Sequence, residues 1–212
     1  MSNFLLRLYE DNVGSNSDLS LLAVDGYRVV YVVEGEVCIE VAGKTEVYRE
    51  NTAWFGAHAC VIRAKEESRV WRWELVRCAT ENDENLLASH DLPLDVGGKY
   101  LMRCDRVDFP PGGIAYTHTH PGSGIRCLLR GRIRINVEQK EKTYEPGQCW
   151  FESGPDPVLA LGSETEATSF VRVMVLPRDY QGRSSIRYVR PEDARKPKLQ
   201  EYTRFIDEFI EV

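Results

Sequence analysis

Residues 112–131 read GGIAYTHTHPGSGIRCLLRG and place His118 and His120, two of the chain's four histidines, one residue apart on the approach to a glycine turn. In an extended strand residues i and i+2 share a face, so the two imidazoles are expected to point the same way. Such a pair is half of a metal site or an acid/base pair. The runs on either side are short, β-branched or aromatic, and broken by Gly, Asn and Asp, with little helical periodicity before the C-terminus.

Working outward, the stretch is met a second time in weaker form. An offset of 96 lays Gly35 on Gly131, YVVEGEVCIEV (31–41) over CLLRGRIRINV (127–137), and Trp54-Phe55 on Trp150-Phe151. At an offset of 100, WRWEL (71–75) lies over VRVMV (171–175), which a short loop insertion explains. Independent matches at one offset mark a duplicated β-unit. Before the first copy, Phe4 to Tyr9 reads as an opening strand. Tyr27 to Tyr48 reads as a three-stranded meander with a Glu-Gly and a Gly-Lys turn. The acidic stretch 79–98 reads as a link. After the second copy, Pro191 with Glu192 and Asp193 suggests a short helix that Pro197 interrupts. The alternating RFIDEFIEV (204–212) suggests a closing edge strand, paired with the opening strand or a partner chain.

With 212 residues the chain is long enough to bury a substantial core. Its net charge of -6 and lack of a basic block argue against nucleic-acid binding. The N-terminal apolar patch is broken by Arg7, Glu10 and Asp11, and no later run is long enough to span a membrane. Six singly spaced cysteines (Cys38, Cys60, Cys78, Cys104, Cys127, Cys149), without C-x-x-C, are expected to be reduced and mostly buried in a cytoplasmic protein.

The spacing of Gly112, His118, His120 and Gly131 resembles the first signature of the cupin superfamily: glycine, five residues, His-x-His, three or four residues, glutamate, six residues, glycine. Gly124 stands where the glutamate belongs. The second signature is carried only by Gly147 and Gly154, one residue closer together than usual, with Glu152, Pro157 and Leu161 in place of its proline, histidine and asparagine. The resemblance covers about residues 20–176. It implies an all-β bicupin of two double-stranded β-helix (jelly-roll) barrels. Its expected parts are a degenerate N-terminal barrel (1–85), a linker (86–98), a C-terminal barrel (99–177) and a C-terminal arm (178–212).

In metal-bearing cupins the resemblance implies three histidines and a glutamate around Fe, Mn, Ni or Zn, with open positions for substrate or dioxygen. Here His118 and His120 are the two retained ligands, so a further ligand has to come from elsewhere. Glu152 and Asp156 are the nearest carboxylates in sequence, and both read as solvated loop residues. Pro157, Leu159 and Leu161 are expected to share an inward face and make an apolar ligand wall, and Arg126 reads either as projecting inward to favour an anion or as a surface or interface arginine paired with a glutamate. Trp54 and Trp150 read as packing residues, and His58 and His90 as structural. In the first copy Leu22, Val24 and Arg28 occupy the positions of His118, His120 and Gly124, so any site belongs to the second. Two function classes stay open. One is a bicupin that binds a small, anionic molecule, with a divalent metal on His118 and His120 and oxygenase- or isomerase-type activity. The other is a metal-free ligand-binding or regulatory module, or a non-catalytic structural bicupin. A homodimer is compatible with either.

Overall fold

The computed structural model describes residues 2–77, 84–138 and 140–212. Among these, regular structure consists of strands and two 3-10 turns, Arg178–Tyr180 and Asp193–Arg195. No helix is long and apolar enough to cross a membrane. The chain divides between Gly98 and Lys99 into two compact units, with Val212 grouped with the first.

The first unit contains β1 (Ser2–Val13), β2 (Asp18–Leu21), β3 (Gly26–Glu34), β4 (Glu36–Val41), β5 (Lys44–Arg49), β6 (Ala53–Gly56), β7 (Cys60–Ala64), β8 (Ser68–Val76) and β9 (Leu86–Leu94). They form two antiparallel sheets, ordered β6-β3-β8-β1-β9 and β2-β7-β4-β5. The second unit contains β10 (Lys99–Phe109), β11 (Ile114–Thr119), β12 (Gly124–Arg130), β13 (Ile133–Val137), β14 (Lys140–Tyr144), β15 (Cys149–Glu152), β16 (Val158–Gly162), β17 (Thr168–Pro177), β18 (Arg187–Tyr188) and β19 (Glu201–Glu211). Its sheets run β15-β12-β17-β10-β19 and β14-β13-β16-β11-β18. The first sheet of each unit is the same arrangement strand for strand, and the second differs only by β18. The duplication read from the sequence is therefore a duplication of topology, and each unit is a jelly-roll barrel of two facing sheets.

Several expected elements take other partners. Residues 27–48 are three strands but not a meander, because β3 and β4 lie in different sheets. Gly35 makes the step between them at φ 85° and Gly131 makes the equivalent step at φ 73°, a backbone region that favours glycine. Within the stretch expected as a linker, 86–94 is strand β9, antiparallel to β1. Leu86, Ala88, His90, Leu92 and Leu94 alternate with more exposed neighbours, and Pro93 is tolerated because β9 is an edge strand. The C-terminal edge strand β19 pairs with β10 and not with the opening strand. The helix expected after Pro191 is the single 3-10 turn Asp193–Arg195, since Pro197 removes the donor a longer helix needs.

The C-terminal segment is anchored by one buried guanidinium. Arg103, 1% exposed, pairs with Asp207 at 2.7 Å and donates to the carbonyls of Arg183 (2.8 Å) and Tyr180 (2.7 Å). One end of the second barrel is an aromatic core in which Trp150 packs on Tyr144 (centroids 4.9 Å) and Phe170 (5.2 Å). Each such pair adds about 0.5–1.5 kcal/mol beyond area burial. Trp54 packs at the edge of the corresponding first-unit core. Cys60, Cys104 and Cys127 are buried and form no disulfide, whereas Cys78 lies outside the described residues.

The first barrel's interior holds an ion-pair network. Arg72 grips Asp11 with two bonds (2.6 and 3.1 Å), and Glu74 accepts from Arg72 (2.9 Å) and Arg28 (2.7 Å). Arg28 also donates to Leu22 O at 2.9 Å. Charges matched in this way are tolerable in a buried interior and leave little to recruit a ligand.

Candidate functional site

The histidines owe their direction to a bulge. On β11 the register with β16 shifts between Ala115 and His118, so both residues face the barrel interior although their parity differs. Bulges re-aim side chains in this way beside functional sites. His118 and His120 are 4% and 3% exposed, with ring centroids 4.9 Å apart and planes nearly perpendicular. His118 Nδ1 lies 2.7 Å from Tyr116 O, and His120 Nδ1 lies 3.0 Å from Ser185 O. A carbonyl can only accept, so each Nδ1 carries the proton and each Nε2 keeps its lone pair. Burial lowers the pKa of both below the ordinary histidine value. For His120 the charges of Arg172 and Arg126 lower it further, to well below that value. Both imidazoles are therefore neutral bases near pH 7.

Glu152, expected as a solvated loop carboxylate, turns inward. It sits on β15 directly opposite Gly124 on β12. Its Oε1 accepts from Trp150 Nε1 (2.9 Å), and its Oε2 lies 2.7 Å from Arg126 Nη2 and 3.6 Å from His120 Nε2. The contact of Oε2 with Arg126 is an ion pair rather than an aligned hydrogen bond, and that buried oxygen has no hydrogen-bond donor. Arg126 is fully buried, donates to Gly124 O at 2.6 Å, and has its pKa lowered to about 10 by desolvation. Beside it Arg172 grips Asp105 with two bonds (2.6 and 3.1 Å). Asp156 caps Ser153 at 2.6 Å on the surface.

Two neighbouring spaces lie next to these groups. The inner cavity, about 20 Å³, is bounded by His118, His120, Glu152, Trp150, Arg172, Ile186 and Tyr202 among others. That volume is about one water's worth. The outer chamber, about 140 Å³, is lined by Arg103, Asp105, Arg172, Ser184, Ser185, Ile186, Tyr202 and Arg204. Arg172, Ile186 and Tyr202 line both spaces and form the partition, with the Arg172 guanidinium 5.7 Å from the Tyr202 ring centre.

The apolar wall differs from the sequence expectation by one residue. Pro157 is exposed and Leu159 and Leu161 are only half-buried, whereas Val158 and Ala160 are buried, and Ala160 lines the cavity. The shortened Gly147–Gly154 interval shifts the strand by one position, and a one-residue shift exchanges its faces. Val158, opposite His118, therefore stands beside the imidazoles where a third would be needed. Arg126 faces inward but lines neither space, because Glu152 and Gly124 O already engage it. Of the guanidiniums that line the chamber, Arg172 is paired with Asp105, Arg103 with Asp207 and Arg204, the most exposed of the three, with Asp207 at 3.5 Å. Asp105, Arg172 and Tyr202 went unread in the sequence. The one available signal was a charged residue inside the apolar run SFVRVMVL (169–176).

The four-ligand metal implied by the resemblance does not fit these residues. Gly124 offers no donor, and an added Cβ there would lie 2.3 Å from Val173 O. Val158 is apolar, and Glu152 is already matched by a guanidinium. Among the described residues no group of three or more His, Cys, Asp or Glu side chains could hold a metal ion.

Comparison with known proteins bears on the fold. Residues 105–154 match the family model of the Cupin domain. No curated protein sequence matches the chain. Among solved structures, AerE from Microcystis aeruginosa superposes with a TM-score of 0.64 at 12% identity, covering 81% of this chain and 88% of that one. Ylba from E. coli gives 0.58 at 17% identity over 80% and 76% of the two chains. A salicylate 1,2-dioxygenase from Pseudaminobacter salicylatoxidans gives 0.57 at 12% over 80% and 70%. The chain thus has the cupin fold in two units, and the sequence match to the Cupin domain lies in the second.

Proposed function

We propose that the second unit binds a small organic anion, about the size of a monocyclic carboxylate, in the chamber beside Arg172 and Arg204. His118 and His120 stand behind the partition as neutral bases. The observation that carries this reading is the shared wall. Arg172, Ile186 and Tyr202 border both a chamber close to the roughly 150 Å³ that accommodates benzene and the small cavity against the imidazoles. Three guanidiniums, Arg103, Arg172 and Arg204, against the carboxylates of Asp105 and Asp207 leave a positive excess at the chamber, and Tyr202 supplies an aromatic face. The chemistry available to two imidazoles with free Nε2 atoms is proton transfer, of the isomerase type, which has to be relayed past the partition from the water-sized inner cavity to a carbon or oxygen next to the bound carboxylate. Oxygenase chemistry receives no support from the donor set.

The test is a thermal-shift and calorimetry panel of small carboxylates, salicylate and benzoate included, on the wild type and on Arg204→Ala, a rim variant that leaves the core intact. Saturable binding by at least one member, weakened in the variant, is expected. A panel with no saturable member sinks the reading. For a binder that carries a hydrogen on the carbon next to its carboxylate, such as mandelate or phenylacetate, loss of that proton's NMR signal in D2O, slowed in His118→Gln, reports the proton transfer.

A further inference from the structure

We propose that Glu152 and Arg126 together stand in for the glutamate and the cation of a metal-bearing cupin, so that a guanidinium internal to the chain keeps divalent metal out of this pocket. The inference rests on reading the second barrel as the site. The carboxylate comes first. Glu152 and Gly124 are direct cross-strand partners, so the acid group missing from one strand enters the same interior face from the next. It cannot return to position 124, where a Cβ would collide with the Val173 carbonyl. The place a side chain at 124 would take is filled by Val173 O and Met174, and Arg126, two residues on, bonds Gly124 O through Nη1 and faces Glu152 Oε2 with Nη2.

Charge then decides what the pocket accepts. Arg172 is matched by Asp105, and Arg126 by Glu152, so these four buried charges sum to zero. A divalent ion would add two uncompensated charges beside two guanidiniums at low local dielectric. Without the Arg126 charge, two imidazole Nε2 atoms, each oriented by a carbonyl on its Nδ1, and one carboxylate 3.6 Å from His120 Nε2 are left to draw together around an ion that, as they stand, they are not placed to hold. Two imidazoles and a carboxylate are a recognised donor set for divalent transition metals. The carboxylate oxygen that would face such an ion is the one with no hydrogen-bond donor, 3.6 Å from His120 Nε2. Arg126 is the group that separates the two outcomes.

Cobalt(II) reads the difference directly, through its visible d–d bands and by equilibrium dialysis. The wild type and the charge-conserving Arg126→Lys are expected to retain none. Arg126→Met is expected to retain about one equivalent per chain with tetrahedral-type bands and to melt higher with cobalt than without. Adding Glu152→Gln to Arg126→Met is expected to abolish the gain. Stoichiometric cobalt in the wild type, quenched by His118→Gln, overturns the proposal, and this measurement does not depend on whether any Arg126 variant folds. A folded Arg126→Met that binds no cobalt also overturns it. Because Arg126 lines neither the cavity nor the chamber, carboxylate binding by the wild type is a separate readout. Its loss would count against the anion site, and cobalt uptake would count against the guanidinium substitution alone.

Discussion

Two neutral, buried histidines make the stability of this protein depend on pH in a particular direction. In the unfolded chain His118 and His120 titrate near the ordinary value of about 6.5. In the fold both are shifted below it, first by burial and, for His120, further by Arg172 and Arg126. Between the folded and unfolded values the unfolded chain binds more protons, so stability falls as pH falls through that window. Below the folded values both states are protonated and the dependence ends. Each missing proton is worth about 1.4 kcal/mol per pH unit. From about pH 7 to about pH 5 the loss is therefore at most about 2 kcal/mol per imidazole, or up to about 4 kcal/mol for the pair. On a domain of this size that lowers Tm by on the order of 10 °C. Carboxylates in both units also titrate in acid, so the measurement is a difference. Scanning calorimetry of the wild type and of His118→Gln/His120→Gln across that range should show a steeper acid loss in the wild type. Parallel curves, or a wild type that gains stability on acidification relative to the variant, refute the assignment of neutral, desolvated imidazoles.

Two further outcomes follow from packing. Restoring the family's residue with Gly124→Glu is expected to destabilise the second unit by roughly 1–3 kcal/mol through overpacking against Val173 O, read as a lower urea midpoint at unchanged slope. A neutral result would mean the strand can move and the glutamate was lost for another reason. Arg103→Ala takes the donor from two carbonyls and the buried partner from Asp207, which keeps Gly182 N and Arg204, and is expected to cost roughly 3 kcal/mol. It should also raise amide exchange over β19 and the 178–186 segment, whereas exchange confined to β10 would show that the segment is held otherwise.

What the sequence made legible was periodic and local. The glycine-histidine spacing of 112–131 and the recurrence at 96 residues identify a doubled jelly roll, because each depends on near neighbours in the chain. The pairing of Gly124 with Glu152 was hidden, since cross-strand register is a property of the fold, and Glu152 alone reads as one more loop carboxylate. Asp105 and Arg172 are 67 residues apart and meet only when β10 lies beside β17. Leu159 and Leu161 were placed on the wrong face because a one-residue shortening upstream inverts a strand's parity. Strand β9 carried its alternation openly, but Pro93 and the acidic residues ahead of it gave it the look of a link.

The central claim is that the second barrel holds an organic anion beside Arg172 and no metal on His118 and His120. A crystal structure of the wild type, grown with cobalt and with the carboxylate that gives the largest thermal shift, and measured at the cobalt absorption edge, tests both halves at once. The account predicts carboxylate density in the chamber between Arg172, Tyr202 and Arg204, and no anomalous peak between the two imidazoles. An anomalous peak within bonding distance of both Nε2 atoms, or a carboxylate bound elsewhere with the chamber vacant, contradicts it.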